Sequence, residues 1–314
     1  MLLPLEDKLS FGVTLTQAGP KALRDYVALA ERLGFTTFWL GDHLIFHVPI
    51  SDPLIQLAQA ATLSATLKVG TAVYLLPLRH PVPVAKQVAT LDLLSEGRVI
   101  FGVGVGGEYP LEWAAAGVPV KERGPRLSEG IAVLRKLWSG EPVAHDGKFY
   151  GFPEVRMLPA PHQPGGPPIW CGGRQEAALR RAGRLADGWM SYVVTPEMYA
   201  EGLQVIAKAA AEAKRPLTRF GTSHLLFMRL GPSFEAAHET ASQHLSKRYG
   251  MDFRGPAKKY AALGRPEDIA AKLAAFHSAG VRHLVLDPIG TNEERPEQYE
   301  RFANEVRPLL GSLI

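Results

Sequence analysis

The stretch KALRDYVALAERLGFTTFWLGDH, residues 21–43, decides how this chain folds. Its first half puts Leu23, Val27, Ala30 and Leu33 on one helical stripe, and Gly34 supplies a stop. Its second half, 36–41, is an apolar and aromatic run that breaks off at Asp42-His43. A buried strand that delivers polar groups at its C-terminal end reads this way. Helix, short turn, strand, then chemistry at the strand's exit is the repeating unit of a parallel α/β protein.

The alternation extends in both directions. Strand-like runs fall at 11–16, 36–41, 68–75, 98–105, 168–172, 188–194, 222–229 and 282–287. Amphipathic helical patterns lie between and after them, among them 53–66, 82–94, 124–138, 175–185 and 233–249. Pro196, Pro266 and Pro296 stand where further helices start, as proline's tolerance in a first turn allows. Eight strands are the number that closes a barrel. The expected fold is therefore α/β, a (β/α)8 TIM barrel with insertion segments, with an open doubly wound sheet as the alternative. No shift in composition splits the chain, so one domain is expected over 1–314. Two stretches exceed a minimal βα unit. Residues 141–167 are rich in glycine, proline and aromatics and suit a hairpin around Asp146-Gly147, and 250–265 suit a flap over the barrel.

Bulk properties narrow the function. A 46% hydrophobic content supports a core, and the formal charge of +4 is spread without a Lys/Arg block. Neither a nucleic-acid partner nor a polybasic membrane anchor is expected, and no apolar run approaches spanning length. The single cysteine, Cys171, excludes an intramolecular disulfide and a cysteine metal cluster and suits a reducing cytoplasm. Residues 1–10 carry Glu6, Asp7 and Lys8 and lack a signal-peptide apolar stretch.

Two strand exits carry the chemistry. At the first, His43 could donate a hydrogen bond, move a proton or lie against a cofactor ring, while Asp42 either orients it or merely caps the loop. At the second, Trp170-Cys171-Gly172-Gly173-Arg174-Gln175 runs straight into a helical stripe. Glycine amides and Arg174 there suit a phosphate, against an ordinary βα turn with a solvated arginine. Between them Gly102-Val103-Gly104-Val105-Gly106-Gly107 matches GxGxxG in form, but Glu108-Tyr109-Pro110 follows and the helical pattern resumes only near Arg123. A dinucleotide fingerprint needs its helix to open from the glycines, so this reads as a strand end that a flat ligand can approach. His43 and His47 stand four apart, but the segment leaves a strand and Pro49 follows, so no metal site is expected.

In order, these segments resemble the luciferase-like monooxygenase superfamily, in particular its coenzyme F420-dependent oxidoreductases. The matching pieces include Gly41-Asp42-His43-Leu44, Val69-Gly70-Thr71-Ala72-Val73, Arg79-His80-Pro81, Ser95-Glu96-Gly97-Arg98, Gly102-Val103-Gly104-Val105-Gly106, Gly172-Gly173 and Ala186-Asp187-Gly188-Trp189. They cover about residues 10–195. The resemblance implies a barrel that binds F420, or alternatively FMN, at its C-terminal mouth, commonly as a homodimer. Asp42 and His43 match the pair near the reactive ring. Ala72 and Val73 match a bulge, often a non-proline cis peptide, that supports the ring from behind. Gly104, Gly106 and Glu108 match the strand-four contacts, and Gly172, Gly173 and Arg174 the phosphate cradle. The implied reaction is hydride transfer between the deazaflavin and a small alcohol, ketone or activated alkene, with His43 as proton donor or polariser, Asp42 orienting it and Glu108 at the rim. The alternatives are an FMN monooxygenase and a non-catalytic flavin or F420 binder. His47 stands where sugar-phosphate dehydrogenase relatives carry an aromatic, and their phosphate-binding lysines have no match here.

Overall fold

The computed structural model describes every residue except 1, 2, 4, 16–18 and 108, and the side chain of Pro20. Eleven strands are present among the described residues: β1 (Ser10–Leu15), β2 (Thr37–Leu40), β3 (Lys68–Thr71), β4 (Val99–Val103), β5 (Val143–Asp146), β6 (Gly151–Val155), β7 (Ile169–Gly172), β8 (Gly188–Tyr192), β9 (Gly221–Leu230), β10 (Ala262–Gly264) and β11 (His283–Pro288). Eight of them close a parallel barrel in the order β1-β2-β3-β4-β7-β8-β9-β11 and back to β1. Every strand therefore exits at the same end, where catalytic groups gather in this architecture.

Small and large residues alternate across the barrel interior. Trp39 and Trp170 meet there with ring centroids 5.5 Å apart, joined by Ile100, Met190 and Val285. A Cβ at Gly12 or Gly70 would run into Trp39, and one at Gly188 or Gly221 would run into Trp170. The strand glycines thus make room for two indoles in one layer. Outside, the stripe read from the sequence is buried, with Leu23, Val27 and Ala30 packed under the helix Pro20–Arg32.

The 141–167 stretch holds the antiparallel pair β5–β6, and Gly147 N donates to Tyr150 O across its turn. The Glu129 carboxylate accepts from the Phe149 and Tyr150 amides and ties this hairpin to the helix Arg123–Trp138. The 250–265 stretch is a short helix, Arg254–Tyr260, followed by β10. The third strand run is shorter than expected: β3 ends at Thr71, the Ala72–Val73 peptide is cis, and only Tyr74 rejoins the sheet, opposite Val103. A short helix, Pro110–Ala115, appears where the sequence suggested a loop. Pro110 occupies its first turn, where a missing N–H costs nothing.

Candidate active site

The strand exits open into one cavity of about 890 Å³. Asp42 and His43 after β2 line it, with Ala72 and Val73 after β3 and Gly104 and Gly106 after β4. Gly172, Gly173 and Arg174 after β7 form its opposite wall. Glu108 lies outside the described residues.

Asp42 does not orient His43. Its carboxylate is buried and takes both arms of the Arg79 guanidinium, Nη1 to Oδ2 at 2.6 Å and Nη2 to Oδ1 at 2.8 Å. Leu75 N donates to the same carboxylate at 2.8 Å. Burial pushes the Asp42 carboxyl above its ordinary value despite Arg79 and the Leu75 amide, while the Asp42 charge and hydrogen bonds raise the Arg79 pKa against its own burial. Asp42 thus stitches β2 to the segment after β3. That segment is fixed on its other side by Tyr74 N donating to Gly102 O and Gly104 N to Tyr74 O.

The carboxylate on His43 is Glu112, from the short helix Pro110–Ala115. His43 Nδ1 lies 3.1 Å from Glu112 Oε2, and Leu44 N donates to Oε1 at 2.6 Å. The Glu112 side chain is fully buried. Burial would raise its pKa, yet the hydrogen bond and charge of His43 and the two loop amides hold it below the ordinary value. The imidazole also stacks on Phe46, centroids 4.0 Å apart and planes at 15°. With Nδ1 committed to Glu112, Nε2 is the ring nitrogen left for the cavity. Nδ1–H donated to Glu112 leaves a lone pair on Nε2 in the neutral ring, and Glu112 fixes the plane of the imidazole. The pair can accept a proton from a hydroxyl or return one to a carbonyl.

The opposite wall is built for negative charge. Gly173 has φ of +112°, a conformation that suits glycine, and a Cβ there would stand 2.7 Å from Ala178. The helix Glu176–Leu185 opens just beyond. Arg174 is exposed, its guanidinium 5.3 Å from the Tyr192 ring centroid. Three further cations line the same cavity that the sequence reading did not place: Lys121, Arg123 and Arg181. Arg123 Nη1 donates to Gly106 O at 3.2 Å, and the buried Arg181 donates from Nε to Ser128 Oγ at 3.0 Å. Burial lowers the Arg181 pKa, and no carboxylate acts to restore it. Among the described residues none of these four cations pairs with a carboxylate. Arg181 stands in the second turn of its helix and Arg123 comes from another segment, so local spacing gave no signal for either.

A parallel barrel with a carboxylate–imidazole pair at one strand exit and an open cationic wall at another is an enzyme-like site for a ligand with a reactive end and an anionic end. The chain belongs to the luciferase-like monooxygenase family, whose model matches residues 9–304. It is 29% identical over 350 residues to the F420-dependent glucose-6-phosphate dehydrogenase of Microbacterium testaceum, covering 99% of this chain and 98% of that one. Among solved structures, an F420-dependent secondary alcohol dehydrogenase in complex with an F420-acetone adduct superposes with a TM-score of 0.84 at 20% identity, covering 96% and 99% of the two chains. The monooxygenase RslO1 from Streptomyces bottropensis gives 0.82 at 24% identity with the same coverage. These two likenesses speak to the fold.

Proposed function

We propose that this protein is an F420-dependent oxidoreductase acting on a small organic alcohol, ketone or activated alkene. The observation that carries the reading is the division of one cavity between the His43–Glu112 pair and the cationic wall of Arg174, Arg181, Arg123 and Lys121. Dehydrogenase relatives that align along nearly the whole chain support it. The donor set fits the cofactor, since F420 bears a phosphate and carboxylates on a tail remote from its ring. When bound, F420 supplies two-electron hydride chemistry.

The chain's own residues do the rest. Gly172, Gly173, Arg174 and Arg181 would hold the anionic tail, and Ala72, Val73, Gly104 and Gly106 would back the ring. His43 Nε2 holds the proton that the substrate oxygen or carbon loses or gains, and Glu112 fixes the ring through Nδ1. Asp42 serves by holding the segment that carries Ala72 and Val73 in place through Arg79 and Leu75. Titration with F420 and with FMN, followed by quenching of ligand fluorescence, tests the reading: F420 should bind, and binding of neither would sink it. FMN binding in its place would move the reading to the monooxygenase branch.

This reading includes one domain over 1–314 and a homodimer in the cytoplasm. Exposed Ile55, Leu63, Leu93 and Leu94, on the neighbouring helices Pro53–Leu63 and Pro81–Leu94, support a dimer face that light scattering would test. No helix among the described residues is long and apolar enough to cross a membrane.

A further inference from the structure

We infer that the cavity has a second, weaker cationic pole at Arg248, and that it receives the carboxylate of an apolar, ring-bearing substrate. This rests on the oxidoreductase reading of the same cavity. Arg248 lies at the end of the helix Phe234–Tyr249 and lines the cavity, as does Asp287 at the exit of β11. Arg248 Nη1 donates to Asp287 Oδ2 at 2.8 Å, and Arg295 Nη1 donates to Oδ1 at 2.6 Å. Two guanidinium groups thus share one carboxylate, which leaves a net charge of about +1 at this wall.

The two arginines are not equivalent. Arg295 is fully buried and also donates to Pro288 O and Thr14 O, so it is consumed by the fold. Arg248 keeps 16% of its side chain exposed, and its hydrogen bond to Asp287 engages one nitrogen of the fork. The surplus charge is therefore presented to the cavity by Arg248. A single surplus charge in a partly desolvated wall matches a monoanion, where a phosphate dianion would call for the several open cations found elsewhere in the cavity.

The path from Arg248 to His43 is aromatic. The guanidinium lies 6.0 Å from the Phe227 ring centroid, Phe227 is 6.3 Å from Tyr249, Tyr249 is 6.5 Å from Phe46, and Phe46 stacks on His43. Val48 and Ile50 add apolar lining. Such a belt offers ring faces rather than the many donors and acceptors that a sugar's hydroxyls demand. A ring compound with a carbonyl, hydroxyl or conjugated alkene at the imidazole and one carboxylate at the far end satisfies both poles. Glucose 6-phosphate satisfies neither the belt nor the single charge.

The test uses 4-acetylbenzoate, its methyl ester and glucose 6-phosphate as probes, titrated calorimetrically into the whole protein with and without F420. The acid should bind about ten- to a hundredfold tighter than the ester in wild type, as a charge-assisted fork contact implies. In R248Q the two should come within about twofold, and R248K, which keeps the charge but not the fork, should fall between. Arg248 acting only as a tie to Asp287 would shift the melting temperature and leave the acid-to-ester ratio unchanged. That result would overturn the inference. So would equal binding of acid and ester by wild type, binding of neither, or tighter binding of glucose 6-phosphate. Failure to bind F420 with the acid preference intact would defeat the cofactor reading and leave the pole standing.

Discussion

The β2–β3 edge of the cavity and the β4–β7 wall both concentrate charge, yet they treat it in opposite ways. At the first, each carboxylate is answered inside the protein: Asp42 by Arg79, and Glu112 by the His43 ring and two loop amides. At the second, Arg174, Arg181, Arg123 and Lys121 line the cavity, and none of them pairs with a carboxylate among the described residues. A charge closed off by a partner fixes geometry, whereas a charge left open creates a demand that a ligand must meet. Residue type alone does not separate the two. Asp42 and Arg174 both lie at strand exits and both line the cavity, but one is spent on the fold and the other is available.

Four substitutions put this contrast to the test. The largest effect is expected from His43→Ala, with turnover reduced by about two to four decades and F420 affinity near wild type. Steady-state kinetics beside a fluorescence titration reads both, and unchanged turnover would remove the proton-transfer role. Asp42→Asn comes next. It leaves Arg79 buried without its counter-charge and should cost about 3–5 kcal/mol in urea unfolding. A loss typical of a surface pair would show that this edge is not closed.

Arg181→Gln should weaken F420 by about ten- to a hundredfold while leaving unfolding nearly unchanged, the reverse of the Asp42 variant. Wild-type F420 affinity should also fall with added salt. The smallest effect concerns pH. The folded Glu112 pKa lies below its ordinary value of 4.5, so its stabilising contribution is full above pH 4.5 and is lost as the pH falls through the folded value. The stability gap between wild type and Glu112→Gln should close in that acid window, and a gap that persists there would point to packing rather than charge.

The barrel was legible because its signals are local. Apolar runs, helical stripes and the glycines and prolines that punctuate them each depend on a few neighbouring residues. The strand exits were legible for the same reason, and the cavity brings together the described candidates from four of them. What escaped was pairing. Asp42 and His43 are neighbours in sequence and diverge in space, one held by Arg79 after β3 and the other by Glu112 after β4. Glu112 reaches His43 from 69 residues away, on a helix hidden by Pro110 at its first position. The signal was present in Pro110 followed by Leu111-Glu112-Trp113-Ala114-Ala115 and the turn residue Gly117. Arg181 and Arg248 gave no local signal, since only the closed barrel turns their helices toward the same space.

The longest strand of the barrel divides closure from cavity shape. β9 is ten residues long, and its parts answer to different neighbours. Residues 221–225 seal the barrel against β8, while 228–230 pair with the short β10 above the rim. Phe227 sits at the junction, on the stretch beyond the seal with β8. Mutation or insertion in the segment from Phe234 to Gly264 can therefore reshape the cavity wall while the ring of strands stays shut. The strands that close the barrel and the segment that shapes this side of its mouth are thus separate stretches of one chain.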